Sequence, residues 1–231
     1  GLISTQAISA LTLSFMIFFL IIGFGYGFSS AITALLGNAL GKKRYKLASI
    51  YAHKGLVFVP LIGLTLSIIG YFFAPSLFMF LGAKDEYLQI SLDYINPILF
   101  GAIFFMFNFS LNSILIATGD TKTYRNSLIF GFFANLALNP LFMYGFLFVP
   151  AMGIKGIAFA TVLIQIINMF YLFYKVLQTK LIHFDKLEYF IPNLRIYKLF
   201  FTHGIPSSLN MHTMAIGSLI WTYFVSHYGI Q

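Results

Sequence analysis

The chain is 231 residues long, 59% hydrophobic and only 9% charged, with a mean hydropathy of +0.88. Soluble domains carry about 25% charged residues, so a water-soluble globular domain is excluded. The net charge of +8 does not argue for a nucleic-acid partner, because the basic residues fall between apolar runs, the pattern that membrane topology produces. The absence of cysteine removes disulfides, thiolate metal sites and cysteine nucleophiles from consideration.

Apolar runs between charge and turn signals predict an all-α, polytopic transmembrane bundle of six helices, roughly 9–40, 53–81, 88–117, 123–147, 154–178 and 197–227. In the first span, Gly25, Ser29, Thr33, Gly37 and Gly41 recur every four residues and form a groove in which another helix backbone can lie. The neighbouring Gly23-Phe24-Gly25-Tyr26-Gly27 lacks the strand and acidic partner of a nucleotide-binding loop and reads as packing. Short linkers are expected at 41–52, 82–87, 118–122 and 148–153, and a longer amphipathic connector at 178–196.

Polar residues at helical spacing mark the third to fifth spans. Asn108 and Asn112 lie four apart on the third, and Asn135 and Asn139 four apart on the fourth. Thr161, Gln165 and Asn168 follow on the fifth. The fourth span carries no charged side chain from Ser127 to Leu147, and Pro140 follows its asparagine pair directly. That proline removes a backbone donor and frees a carbonyl one turn upstream, a device by which transporters build ion and substrate sites. Interhelical glue is the plain alternative for each stripe; three stripes together point to a shared hydrated interior.

Titratable groups are sparse in the apolar runs. Of the six acidic residues only Asp93 falls in a predicted span, near its outer edge, and His212 in the last span reads as a packing histidine. No His–carboxylate cluster, G-x-S-x-G elbow or P-loop occurs, so neither an enzyme nor a cofactor is expected. Of the 14 basic residues, 12 fall on one side of the spans and only Lys84 and Lys155 on the other. The larger group belongs in the cytoplasm, which starts and ends the chain outside and implies a missing upstream helix. Without that helix the groove of the first span is expected to lie uncovered.

Four stretches stand out in order: Ala39-Leu40-Gly41-Lys42-Lys43, then Ile116-Ala117-Thr118-Gly119-Asp120-Thr121-Lys122, then Asn135-x-x-x-Asn139-Pro140 with Gly153-Ile154-Lys155-Gly156, and last Gly204-Ile205-Pro206-Ser207. Together they resemble the multidrug and toxic-compound extrusion (MATE) transporters. The resemblance implies a twelve-helix protein of two lobes. Residues 1–177 would form the amino-terminal lobe without its first helix, 178–196 the connector and 197–231 the first helix of the second lobe. It also implies export of amphipathic or cationic organic compounds across the plasma (inner) membrane by alternating access, coupled to a proton or sodium gradient. The partners would be a small organic substrate, the lipid bilayer and the missing remainder of the chain, with no nucleic acid.

Substrate or ion binding is expected at Asn135, Asn139, Thr161, Asn108, Asn112 and Gln165, and conformational roles at Pro140, Gly119, Asp120 and Pro206. Asn139 stands where one branch of the family carries an aspartate, and an amide cannot take up a proton. A flippase of lipid-linked oligosaccharide is the nearest alternative and would call for basic residues deep in the spans. A membrane-embedded transferase or a structural membrane subunit are more distant ones.

Overall fold

The structure, a computed structural model, describes residues 5–81, 83–146 and 149–228. It is all-α, with α1 at Thr5–Gly41, α2 at Tyr45–Phe80, α3 at Asp85–Ala117, α4 at Lys122–Tyr144, α5 at Ile154–Gln178 and α6 at Leu194–Tyr228. A helix satisfies its own backbone polar groups, which is the requirement hydrocarbon imposes. By length and composition α2 to α5 and the Ile17–Gly41 part of α1 can cross a membrane, five of the six expected spans. The sixth, α6, is as long but mixes His203, Ser207, Ser208, Asn210 and His212 into its apolar sequence.

Several helix boundaries differ from the sequence reading, and two of the differences have a visible local cause. The second helix starts at Tyr45, not at 53, so the linker shrinks to residues 42–44. The basic run mimicked a loop, but Ala48, Ser49, Ala52, His53 and Lys54 are buried and therefore helical. Lys43 makes the turn with φ of 56°, while Arg44 N–H bonds Ala39 O at 2.9 Å. At the other boundary, α4 ends at Tyr144 because Gly145 turns the chain with φ of 74°.

Packing is layered around α3, of whose most apolar stretch 72% is buried against 11% for α4. Helices α1 and α3 run parallel and in register. Ser29 Oγ donates to Phe109 O at 2.9 Å, and one turn on Thr33 Oγ1 donates to Ser113 O at 3.3 Å. The small-residue groove is therefore covered by α3 over Gly25, Ser29 and Thr33, which corrects the expectation that it would lie open. Its carboxy-terminal end stays free, with nothing within 4 Å of where a Cβ on Gly37 or Gly41 would stand.

A second small face, Gly23 and Gly27, receives α6 in the antiparallel sense. A Cβ on Gly23 would stand 2.5 Å from His212 Nε2, and one on Gly27 would stand 2.5 Å from Ser208 N and 2.7 Å from Gly204 O. Where α1, α2 and α6 meet, Phe58 gathers Phe28, Phe201 and Tyr197 at ring-centroid distances of 5.1, 5.0 and 4.8 Å. Such aromatic pairs add about 0.5–1.5 kcal/mol each beyond their burial. On the far side α5 lies against α3, and α4 is the outermost helix, held by α5. This order sets the basic ends of all six helices at one end of the bundle and Lys84 and Lys155 at the other.

Candidate functional site

The polar pair of α4 belongs to a longer seam. Thr123, Ser127 and Gly131 are the buried residues of this helix, and Asn135 and Asn139 continue them at the same step of four. Small side chains let α4 approach α5 closely, so that a Cβ on Gly131 would stand 3.3 Å from Ile164 and 3.6 Å from Asn168 Nδ2. Asn135 Nδ2 donates one turn back to Gly131 O at 3.1 Å, which turns its Oδ1 toward α5. There the Thr161 hydroxyl lies 3.5 Å away while also reaching Ile157 O at 3.0 Å.

One turn further along, Asn139 Oδ1 is buried with no hydrogen-bond partner. Pro140, next to it, has no N–H to give to Leu136 O. The connected end of the α4–α5 pair is fastened by main chain, with Met152 N–H on Phe142 O at 3.0 Å and Gly153 N–H on Met143 O at 3.1 Å.

The stripe of α3 meets α5 one turn along from Thr161, at Gln165. Asn108 Nδ2 donates to Gln165 Oε1 at 2.8 Å and to Gln165 O at 3.0 Å. Its Oδ1 and that of Asn112 are buried without partners, like that of Asn139. The three expected stripes thus come together through α5, because α3 and α4 scarcely touch each other. A buried amide oxygen that no protein group meets costs about 1–3 kcal/mol if left unsatisfied, so each of the three can accept from water or an ammonium group or ligate a hard cation. None of them can exchange a proton.

The other expected residues stand apart from this seam. Gly119, with φ of +92°, closes α3, and Asp120 opens α4 by accepting from the N–H groups of Lys122 at 3.1 Å and Thr123 at 2.9 Å and from the Thr123 hydroxyl at 2.6 Å. Those bonds hold the Asp120 carboxyl below the usual carboxylate range, the Thr123 hydroxyl contributing most. Pro206 lies inside α6, beside the close crossing with α1. Asp93 pairs with Lys155 at 3.0 Å and accepts from Gln89 at 2.9 Å, the one ion pair among the described residues. His212 Nε2 lies 3.3 Å from Leu20 O with its ring centroid 5.3 Å from that of Phe24, which is a packing arrangement.

A cluster at the basic end has no counterpart in the sequence reading. The segment after α5, with a short 3₁₀ turn at Leu187–Tyr189, is stitched to the first turns of α2. Ser49 Oγ donates to Leu181 O at 2.7 Å, and the fully buried His53 donates from Nδ1 to Ser49 O at 2.7 Å while its Nε2 accepts the His183 N–H at 3.0 Å. The Lys54 ammonium, almost wholly buried, donates to Glu188 O and Ile191 O at the end of the 3₁₀ turn. Every hydrogen-bond partner in the connector is a main-chain group, while the His53 ring also packs edge-on against Phe190 and Tyr189 at ring-centroid distances of 4.7 and 5.5 Å.

With this geometry in view, comparison with known proteins becomes informative. The family model described as MatE matches residues 1–141. "Probable multidrug resistance protein YoeA" of Bacillus subtilis (strain 168) is 32% identical over 231 residues, covering 98% of this chain and 50% of the relative. "Probable multidrug resistance protein YpnP" of the same strain is 27% identical over 99% of this chain and 50% of its own length. The solved structure "Crystal structure of MATE in the bent conformation" superposes with a TM-score of 0.83 at 27% identity, over 94% of this chain and 48% of that one. The chain spans about half the length of the curated relatives it matches.

Proposed function

This chain belongs to the MatE family of membrane transporters, and we propose that it works as part of a secondary-active exporter. Its cargo would be amphipathic or cationic organic compounds, moved by alternating access and driven by a proton or sodium gradient. One observation carries the reading. Across the α4–α5 seam the Asn135 amide oxygen faces the Thr161 hydroxyl, and one turn on the Asn139 amide oxygen is buried without a partner beside Pro140. An occupant of this seam gains by satisfying an oxygen that no protein group meets. The turn that Pro140 weakens is where occupancy can bend the helix.

Five of the six acidic residues lie in loops or in the first turn of a helix, and the sixth, Asp93 in the third turn of α3, is paired with Lys155. The seam therefore supplies neutral oxygen ligands, which suit sodium or an organic cation; proton exchange falls to a group outside this seam.

The test is efflux of a fluorescent cationic dye from inverted vesicles carrying the full-length protein, under a proton gradient alone and then a sodium gradient alone. Asn135→Ala and Asn139→Ala should each lower export at least several-fold with membrane abundance unchanged. Export that persists unaltered in both variants would remove the seam from the mechanism. Silence of the parent protein under both gradients would remove the exporter reading itself.

A further inference from the structure

We propose that the junction between the first turn of α2 and the connector is a binding site for the headgroup of an anionic phospholipid, in the leaflet at the basic end of the bundle. The site is a cavity of about 470 Å³ lined by Tyr45, Lys46 and Ser49 on α2 and by Thr179, Lys180, Leu181, His183, Lys186 and Tyr189 on the connector. Three of these residues are lysines, Lys46, Lys180 and Lys186. No carboxylate lines it, and none of the three lysines is ion-paired. Lys186 is held over the Tyr189 ring at 5.6 Å, and Lys180 sits in a left-handed turn with φ of 57°.

Both walls are fixed. The bonds from Ser49, His53 and Lys54 to connector main chain hold the cavity's two sides together without using any of its lysines. Three lysines without a carboxylate partner around one rigidly framed cavity call for a phosphate, which lysine binds as a point charge.

A second opening decides for a lipid over a free anion. It shares Tyr45 and Lys46 with the first and runs past Lys43 and Arg44 over the apolar side chains of Leu47 and Ile50. Cations continuous with an apolar strip, at the level where a tyrosine opens a membrane helix, match a molecule that is a phosphate at one end and hydrocarbon at the other. A phosphate seated there would tie Lys46 on α2 to Lys180 and Lys186 on the connector, and so brace the link that leads into α6.

The experiment places the full-length protein in nanodiscs of phosphatidylcholine doped with phosphatidylglycerol and counts retained lipids by native mass spectrometry. The parent protein should retain phosphatidylglycerol in preference to phosphatidylcholine. The variant Lys46→Gln/Lys180→Gln/Lys186→Gln should lose that preference, by about fivefold for each lysine removed. The matching arginine triple variant should keep it, which guards against a folding defect. A charge-matched control elsewhere on the same face, Lys122→Gln/Arg125→Gln/Lys198→Gln, should keep it too. Equal loss in this control would overturn the site in favour of diffuse attraction, and equal retention of both lipids by the parent would overturn it outright. Displacement of the lipid by glycerol phosphate at the same concentration would replace the lipid by a soluble anion.

Discussion

At the residue scale, Asp120 shows how one side chain can close a gap between two membrane helices. Its carboxylate takes the first free N–H groups of α4 just after Gly119 has turned the chain out of α3. Because these bonds favour the ionised form, the folded-state pKa is depressed relative to the unfolded value of about 3.9. The stabilisation is then fully present above that unfolded value and is lost as pH falls through the lower folded one. Asp120→Ala should cost about 1 kcal/mol at neutral pH, the usual size of a lost N-terminal cap. Thermal unfolding in detergent should show the gap between variant and parent closing on acidification below about pH 4. A gap that persists unchanged would mean that the charge contributes nothing.

Gly119 and Asp120 were legible as a motif, and the structure supplies their local reason. The unpartnered oxygens of Asn108, Asn112 and Asn139 were not legible, because whether an amide finds a partner depends on the neighbouring helix, not on its own.

At the scale of elements, α1 carries two small faces that behave differently. The one toward α3 is joined by hydroxyl-to-carbonyl bonds from Ser29 and Thr33, and the one toward α6 brings main chain onto main chain at Gly27. Gly27→Ala would drive a methyl group against Ser208 N and Gly204 O, which cannot rotate away. The α1–α6 pair should separate, and the melting temperature in detergent should fall by several degrees. Gly37→Ala meets nothing within 4 Å and should hold or raise it, since alanine favours the helix by about 1 kcal/mol. Equal effects from the two would refute the assigned contact.

The six helices themselves were legible from apolar length. The start of α2 was missed because Lys42, Lys43, Arg44 and Lys46 read as a loop, whereas burial against the connector winds the chain from Tyr45. The seam of α4 was half seen. Its polar members drew the eye, yet Thr123, Ser127 and Gly131 repeat at the same interval and were there to be read.

At the scale of the whole molecule, these 231 residues hold no cysteine, so orientation is directly measurable once any cysteine elsewhere in the full-length protein is replaced by serine. Lys84→Cys and Lys122→Cys lie at opposite ends of α3 and its following turn. A membrane-impermeant maleimide added to intact cells should label the first at once and the second only after permeabilisation. The reverse order would invert the orientation that the basic residues assign. Charge placement assigns this orientation from the sequence alone, whereas the packing order around α3 was not legible there, since helices that are apolar nearly all round do not declare their neighbours. The connector is the extreme case. Side chains of α2 grip it by the main-chain groups of Leu181, His183, Glu188 and Ile191. Such a grip is blind to composition: outside its buried residues the strap can be rewritten, as at Phe184, Asp185 and Leu187, which are exposed. Its length cannot, for deleting one residue shifts all the later carbonyls out of reach together. Substitutions there are cheap, and deletions are not.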